Sequence, residues 1–204
     1  MRLYARFLLP RLLSAAMRQP DLVPFRSDVG RAASGRVLEL GIGPALNLPF
    51  YCAEVTSVTG IDPSQELLAM AAKCVGDRRF EVRLIEGSAE ALPCDDRSFD
   101  TVVTTWTLCS VSGAAAALGE ARRVLKPGGR LLFAEHGRAP ESAIARWQDR
   151  LDPVWTCIAG GCHMNRPIAD LIAGAGFRLD GLRTAHIAGP KVLTFMYSGA
   201  AVPR

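Results

Sequence analysis

Residues 37–44 have the sequence VLELGIGP, an apolar run that passes directly into two closely spaced glycines. Such a run is typical of a strand that is buried on both faces, as strands of parallel sheets are. Gly41 and Gly43 allow a tight turn and let a ligand approach the backbone closely. The segment therefore predicts a parallel strand whose carboxyl end lies at a ligand site.

Strand-like and helix-like segments alternate along the rest of the chain. The predicted strands cover residues 36–40, 54–62, 81–85, 99–104, 130–134, 179–186 and 192–198. The predicted helices cover residues 45–52, 64–74, 114–125, 141–158 and 167–175. A further helix over residues 3–18 is expected to be broken near Pro10. Alternation at this pitch predicts an α/β fold with a doubly wound, Rossmann-like sheet.

Length and charge limit the number of domains and the class of partner. The 204 residues fit one α/β domain over residues 36–204, preceded by a helical arm or lid over residues 1–35. Residues 1–36 carry a net charge of +5 and the remainder −1. Because the body of the protein is nearly neutral, we expect no nucleic-acid partner. The basic arm could make weak peripheral contact with a membrane.

The termini and the cysteines indicate a cytoplasmic protein. Arg6, Pro10 and Arg11 interrupt the apolar N-terminal stretch, so we predict no secretory signal. The six cysteines contain no CxxC pair, which is typical of reduced thiols. The spacing of Cys157, Cys162 and His163 resembles metal ligands only loosely. We therefore expect no metal site.

An acidic residue, Asp62, follows Gly43 by 19 positions and ends the next predicted strand. There it can accept hydrogen bonds from the ribose hydroxyls of a nucleoside-containing cofactor. A dinucleotide site would need a third glycine where Leu46 stands. The carboxylate of Glu39 would also repel a pyrophosphate, but it favours a cation. The pattern therefore favours S-adenosylmethionine over NAD.

Five segments in residues 36–136 together resemble class I S-adenosylmethionine-dependent methyltransferases. They are VLELGIG, GIDPS, EGSAEALP, SFDTVVTTWTLCSV and RRVLKPGGRLLFAEH. The resemblance implies S-adenosyl-L-methionine as the cofactor and a seven-stranded sheet with an antiparallel last strand. It also implies that Asp62 binds the ribose and that Ser88 and Ala89 frame the adenine. The predicted cofactor-binding residues are Glu39, Gly41, Gly43, Asn47, Asp62, Pro63, Ser88, Ala89, Glu90 and Thr105.

The second half of the chain resembles the methyltransferase-like proteins of animals that act as alkyl thiol S-methyltransferases, and their bacterial relatives. The matching segments are LCSV at 108–111, EH at 135–136, WQDRLDPVW at 147–155 and GCHMNR at 161–166, with Tyr4 and LPR at 9–11. The resemblance implies methylation of a small, largely apolar thiol. Two alternatives stay open: N-, O- or C-methylation of a lipid, quinone-like or natural-product substrate, and a cofactor-binding module without turnover.

Methylation of a thiol requires from the protein mainly proximity, orientation and a modest base, because the thiol pKa is about 8.5. The predicted catalytic residues are His136 and His163, as bases, and Asp152, which can orient a histidine. Direct transfer from a sulfonium needs no covalent nucleophile, so Cys162 is assigned a structural or pocket role. The predicted substrate-binding residues are Tyr4, Trp106, Cys109, Trp155 and Arg166.

Overall fold

A computed structural model describes residues 9–76 and 78–204 of the chain. Seven strands in this part form one sheet: β1 (Gly35–Leu40), β2 (Val55–Asp62), β3 (Glu81–Glu86), β4 (Phe99–Thr105), β5 (Leu125–His136), β6 (Phe177–His186) and β7 (Phe195–Pro203). Their order is β3-β2-β1-β4-β5-β7-β6. β1 to β5 pair in parallel, and β7 runs antiparallel to β5 and β6. The predicted doubly wound sheet with an antiparallel last strand is confirmed.

Six α-helices accompany the sheet in the described residues: α1 (Leu9–Ala16), α2 (Val23–Ala32), α3 (Gln65–Val75), α4 (Ala114–Val124), α5 (Ser142–Ile158) and α6 (Ile168–Gly174). Ser64 caps α3, because its side chain accepts a hydrogen bond from the backbone N–H of Leu67. The predicted helix over residues 45–52 is wrong. Ala45 has a φ of 59°, outside the α-helical region, and only a 3-10 turn forms at Leu48–Phe50.

The two faces of the sheet are covered by different helices. The side chains of α4 and α6 pack with Leu38, Leu40 and Phe133 in one buried cluster. On the opposite face, Val29 and Ala33 at the end of α2 join Val37 and Val103 in a second cluster. Helix bounds within the arm were predicted only for residues 3–18, whereas α2 is a second helix that packs on the sheet. The role of residues 1–35 as an arm or lid stays a prediction.

Helix α5 carries an apolar stripe that faces solvent. Trp147, Leu151, Val154 and Ile158 recur at helical spacing and are between 40% and 65% exposed. The Arg150 guanidinium lies 5.4 Å from the centre of the Trp147 ring. No helix in residues 9–76 and 78–204 combines the length and the apolar character needed to cross a bilayer.

Candidate functional site

The carboxyl ends of the parallel strands meet at one edge of the sheet, and the glycine-rich turn lies there. Gly41 and Gly43 have positive φ angles of 63° and 54°. A side chain at Gly41 would place its Cβ only 2.4 Å from Oγ1 of Thr107, so this position requires glycine. The backbone N–H of Gly43 donates to Oδ2 of Asp62 over 2.9 Å, which fixes the turn against the end of β2.

Asp62, the predicted ribose-binding residue, ends β2 beside the glycine-rich turn. Its Oδ1 accepts a hydrogen bond from the backbone N–H of Ser64 over 2.9 Å. Burial raises the pKa of this carboxyl, and the two amide donors oppose that shift. A carboxylate has about four acceptor positions, so Asp62 retains capacity for ribose hydroxyls beside the two amides.

Glu39, the penultimate residue of β1, is the centre of a buried polar network. Its side chain is 1% exposed. Oε1 accepts from Nδ2 of Asn47 and Oε2 accepts from the Tyr51 hydroxyl, both over 2.7 Å. Nδ2 of Asn47 also donates to Oγ1 of Thr105 over 2.9 Å. Burial raises the Glu39 pKa to about 7, so this group can ionise when a cation arrives beside it.

Arg26 connects α2 to the same network. Its side chain is 6% exposed, and Nη1 donates to Oδ1 of Asn47 over 2.8 Å. The guanidinium stands 4.6 Å from the centre of the Trp106 ring, in a cation–π contact. Burial lowers the Arg26 pKa to about 10, and the nearby Glu39 carboxyl opposes that shift. The sequence analysis missed Arg26 and Tyr51, because neither belongs to a local motif.

The loop after β3 holds the residues predicted to frame the adenine. The Glu90 N–H donates to Oγ of Ser88 over 3.1 Å, and the Ser88 hydroxyl donates to Oε2 of Glu90 over 3.2 Å. Oε1 of Glu90 accepts the backbone N–H of Gly113. These bonds fix the loop against the start of α4 and leave Ala89 buried. Pro63 lies next to this loop edge, between Asp62 and Ser64; the cofactor roles of these residues stay predictions.

Two predicted catalytic residues form a pair. Nδ1 of His163 lies 2.7 Å from Oδ2 of Asp152, and Oδ1 of Asp152 accepts the backbone N–H of Met164. The backbone N–H of His163 donates to the carbonyl oxygen of Cys109 over 2.8 Å. The pair is thereby held at the loop that follows β4, on the cofactor edge of the sheet. The His163 side chain is 38% exposed, so the pair is not sealed from solvent.

The third predicted catalytic residue, His136, lies in a cluster with two thiols. The Cys162 sulfur is 3.6 Å from the Cys109 sulfur and 3.4 Å from Nε2 of His136. Contacts with Cys109, His136 and Trp155 lower the Cys162 pKa, whereas the Cys162 contact and burial raise the Cys109 pKa. Burial of the ring lowers the His136 pKa, but the contact with Cys162 raises it by more, so the pKa lies above its ordinary value. Trp155 therefore lies beside the cluster, and its role in binding substrate stays a prediction.

Cys157, Cys162 and His163, whose spacing loosely resembles metal ligands, do not form one cluster in the structure. Cys157 is exposed, and its thiol contacts the carbonyl oxygen of Pro153 rather than Cys162. Cys109 and His136 take its place beside Cys162. Local spacing could not show this cluster, because two of its members lie in loops and the third at the end of β5, and only the sheet brings them together.

Two buried side chains hold these loops. Oε1 of Glu135 accepts from the Thr104 hydroxyl over 2.7 Å and from the Thr107 N–H over 3.0 Å. Gln148 is fully buried and joins three segments, since it bonds the backbone of Gly137, Ala139, Met164 and Val192. Neither residue was predicted. They give the acceptor side of the site a rigid frame.

The remaining predicted substrate residues have different surroundings. Nη1 of Arg166 donates to the carbonyl oxygen of Leu108, so part of this guanidinium supports the loop. Trp106 has a φ of 51° and packs edge-on against Phe25 of α2, with 6.3 Å between ring centres. Tyr4 lies outside the described residues. The substrate roles of these residues stay predictions.

Comparisons with known proteins agree with this geometry. A family model described as "Methyltransferase domain" matches residues 38–133, which include β1, the glycine-rich turn and Asp62. Residues 38–133 carry a methyltransferase domain of the class I S-adenosylmethionine-dependent type. Its cofactor is S-adenosyl-L-methionine, as the sequence analysis predicts.

Curated relatives of this methyltransferase domain differ in their acceptors. Thiol S-methyltransferase TMT1B of Rattus norvegicus is 37% identical over 134 residues, which are 64% of this chain and 54% of that protein. Thiol S-methyltransferase TMT1A of Homo sapiens is 34% identical, with 76% of this chain and 64% of that protein covered. A phosphatidylethanolamine N-methyltransferase of Cereibacter sphaeroides is 36% identical, with 59% of this chain and 63% of that protein covered. The chain thus spans between about half and two thirds of these relatives.

Solved structures share the fold of this methyltransferase. An S-adenosylmethionine-dependent methyltransferase from Thermotoga maritima superimposes with a TM-score of 0.72 and 22% identity, over 100% of this chain and 99% of that one. A methyltransferase from Bacillus halodurans gives a TM-score of 0.69 at 17% identity, over 90% and 96%. At these identities the likeness concerns the fold alone.

Proposed function

We propose that this protein transfers the methyl group of S-adenosyl-L-methionine to the sulfur of a small, largely apolar thiol. The observation that carries the proposal is the His163–Asp152 pair, which lies at the edge of the sheet where the glycine-rich turn lies and whose histidine side chain is 38% exposed. Relatives named thiol S-methyltransferases, at 34% and 37% identity, support the same acceptor.

The cofactor side would be held by the residues of the glycine-rich edge. Asp62 would accept the ribose hydroxyls, and Ser88 with Ala89 would frame the adenine. Glu39, kept in place by Asn47 and Tyr51, would lie near the cationic end. Gly41, Gly43, Pro63, Glu90 and Thr105 complete the proposed set. When bound, the cofactor supplies a methyl group already activated by its sulfonium.

The protein's chemical task is then to orient a thiol and remove its proton. Asp152 accepts the Nδ1 proton of His163, which leaves Nε2 unprotonated and able to take the thiol proton. A thiol with a pKa of about 8.5 needs only a modest base. We assign the base role to His163 rather than His136, because the His136 ring already contacts the Cys162 sulfur.

The acceptor would lie between the aromatic side chains near this pair. Trp106, Trp155 and Cys109 would supply the apolar or weakly polar surface that contacts it. Arg166 and Tyr4 stay in the proposal as residues that contact the acceptor. Most of the acceleration would come from holding the sulfur in line with the methyl group.

Methylation of a lipid-like acceptor at nitrogen, oxygen or carbon is the second candidate. The exposed apolar stripe on α5 favours it, because apolar side chains with Arg150 at their margin suit the surface of an anionic membrane. The relative named phosphatidylethanolamine N-methyltransferase points the same way. A cytoplasmic location, with or without peripheral membrane contact, stays a prediction.

One screen separates these candidates. The purified chain is incubated with S-adenosyl-L-methionine and a panel of alkyl and aryl thiols, amines, phenols and phospholipid vesicles. Mass spectrometry then detects products heavier by one methylene group. We expect products from thiols alone, and much less from the His163→Ala variant. Products from amines or lipids only would contradict the thiol proposal, and cofactor binding without any product would indicate a binding module.

A further inference from the structure

Three potential metal ligands come together outside the residues that the proposed proton transfer uses. Cys109 follows β4, His136 ends β5 and Cys162 follows α5. Their sulfur and ring-nitrogen atoms all lie within 4.8 Å of one another. Cys109 is 1% exposed and His136 is 8% exposed, so the cluster is shielded from solvent, with Cys162 at its outer side.

The two distances from Cys162 within the cluster match the edges of a tetrahedral metal site. Zinc binds thiolate sulfur at about 2.3 Å and imidazole nitrogen at about 2.0 Å, so the sulfur–sulfur edge of such a tetrahedron is about 3.8 Å and the sulfur–nitrogen edge about 3.5 Å. The Cys109 and Cys162 sulfurs are 3.6 Å apart, and Cys162 is 3.4 Å from Nε2 of His136. Little rearrangement would be needed to place a cation between them.

The chemistry of the three side chains limits which cation can bind. Two sulfurs and one imidazole are soft ligands, which select Zn²⁺ and similar thiophilic ions over Mg²⁺ or Ca²⁺. Catalytic zinc sites typically use three protein ligands and keep a fourth position for water or substrate. No fourth His, Cys, Asp or Glu joins this group among the described residues.

We propose that Cys109, His136 and Cys162 bind a thiophilic divalent cation such as Zn²⁺, with one coordination position open. This departs from the expectation of no metal site. The site neighbours the proposed base, since the backbone N–H of His163 donates to the Cys109 carbonyl oxygen. A ligand in the open position would therefore lie close to the His163–Asp152 pair.

The use of the open position rests on the proposed function. An acceptor thiol, R–SH, would bind the cation as R–S⁻ and give its proton to Nε2 of His163. A sulfur lone pair then forms the new carbon–sulfur bond as the carbon–sulfur bond of the sulfonium breaks. The products are R–S–CH₃ and S-adenosylhomocysteine, and the cation keeps its charge. Thiol acceptors suit such a site because sulfur is the ligand that the cation prefers.

The test uses the full chain, fully reduced and freed of metal, titrated with Co²⁺ as a spectroscopic probe and then with Zn²⁺. We expect one Co²⁺ per chain, with thiolate-to-cobalt charge-transfer bands and the ligand-field absorption of a tetrahedral ion. Cys109→Ser and Cys162→Ser should each weaken Co²⁺ binding by more than about 100-fold, since losing even an outer partner of a ligand costs 10- to 100-fold. His136→Asn should do the same.

The matched control is Cys157→Ser, which changes an exposed cysteine on α5 outside the cluster and should bind Co²⁺ like the parent. Circular dichroism checks that each variant folds, and Cys162→Ala serves as a second change at the least buried ligand. Reduced protein that binds neither ion stoichiometrically would overturn the proposal. Equal loss in Cys157→Ser would do so too, as would a Cys109–Cys162 disulfide that persists under reducing conditions.

The proposed metal site and the proposed thiol function can be contradicted independently of each other. Stoichiometric metal binding with no methylation of any thiol supports the site and contradicts the thiol function. Thiol methylation by a reduced protein that binds no metal contradicts the site and supports the function. If the metal site and the thiol function both hold, adding an acceptor thiol without S-adenosyl-L-methionine should change the cobalt spectrum. An unchanged spectrum would contradict coordination of the acceptor.

Discussion

Nδ1 of His163 lies 2.7 Å from Oδ2 of Asp152, across a separation of 11 residues that spans the end of α5 and the following loop. Asp152 is buried, and its second oxygen accepts the backbone N–H of Met164 over 2.8 Å. The carboxylate is therefore held from two sides and fixes which ring nitrogen of His163 carries the proton. This arrangement is typical of a base whose tautomer is set by a neighbouring carboxylate.

His163→Ala should lower kcat with a thiol acceptor by about 100-fold or more near neutral pH, because general bases typically contribute 10²–10⁴-fold. The deficit should narrow as the pH approaches the thiol pKa of about 8.5, where the thiolate forms without a base. Steady-state rates across this pH range measure both effects. His186→Ala is the matched control, since His186 contacts Glu141 away from the pair. A variant with unchanged kcat would remove His163 from the mechanism.

Asp152→Asn tests the same pair through its partner. The asparagine keeps the size of the side chain but no longer selects the His163 tautomer with an open Nε2. We expect kcat to fall nearly as far as in His163→Ala, with little further loss in the double variant, because residues that act as a unit are not additive. Fully additive losses in the double variant would show that the two side chains act independently.

Glu39 should make the cofactor-free protein less stable as the pH rises. Its folded pKa of about 7 lies above the ordinary value of 4.5, so the folded state holds a proton that the unfolded state releases. The stabilisation is complete below pH 4.5 and is lost as the pH rises through about 7. Relative to Glu39→Gln, the free energy of unfolding should fall by an amount on the order of 3 kcal/mol. Urea unfolding of both proteins across this window measures the difference, and parallel curves would exclude a raised Glu39 pKa.

Binding of S-adenosyl-L-methionine should show the opposite pH trend, because ionised Glu39 favours a cationic ligand. Affinity should rise as the pH passes through about 7, and Arg26→Met should move this midpoint upward, since the Arg26 charge helps to hold the Glu39 pKa down. Calorimetric titration at several pH values measures the midpoint. Arg31→Met, an exposed change on the same helix, should leave it in place. An identical midpoint in Arg26→Met would contradict the coupling.

Asp62→Ala should weaken cofactor binding by about 10- to 100-fold, because hydrogen bonds to charged groups contribute about 1.5–3 kcal/mol. Turnover at saturating cofactor should change much less, since the ribose is not the reacting group. Asp180→Ala, at an exposed aspartate of β6, provides the comparison. Equal affinities of Asp62→Ala and the parent protein would refute the ribose assignment.

Sequence patterns predicted most of the sheet because its strands are defined locally. The apolar run at 37–40 and the terminal Asp62 mark strand ends that the structure places at one edge. The predicted helix over 64–74 likewise corresponds to α3, since its N-cap, Ser64, depends only on its neighbours. The short helix over 45–52 failed because the left-handed conformation of Ala45 belongs to the turn and has no glycine signal.

Contacts between distant segments escaped prediction. The bond from Arg26 to Asn47 joins α2 to the turn after β1, and no local spacing links these two residues. Cys109 and Cys162 are 53 positions apart and meet only because α5 returns to the β4 edge. The His163–Asp152 contact was anticipated only in general form, as an aspartate that orients a histidine. Side chains on separate elements need the register of the whole sheet before their distances can be known.

The buried guanidinium of Arg26 links the folding of α2 to the loading of the cofactor. A ligand that favours ionised Glu39 also strengthens the position of Asn47 and hence the docked state of α2, and by thermodynamic reciprocity a docked α2 favours the ligand. Amide hydrogens of Val23–Ala32 should therefore exchange with solvent more slowly when the cofactor is bound, although this helix lies on the far side of the network. Hydrogen exchange in α2 would therefore report cofactor occupancy without any methyl acceptor.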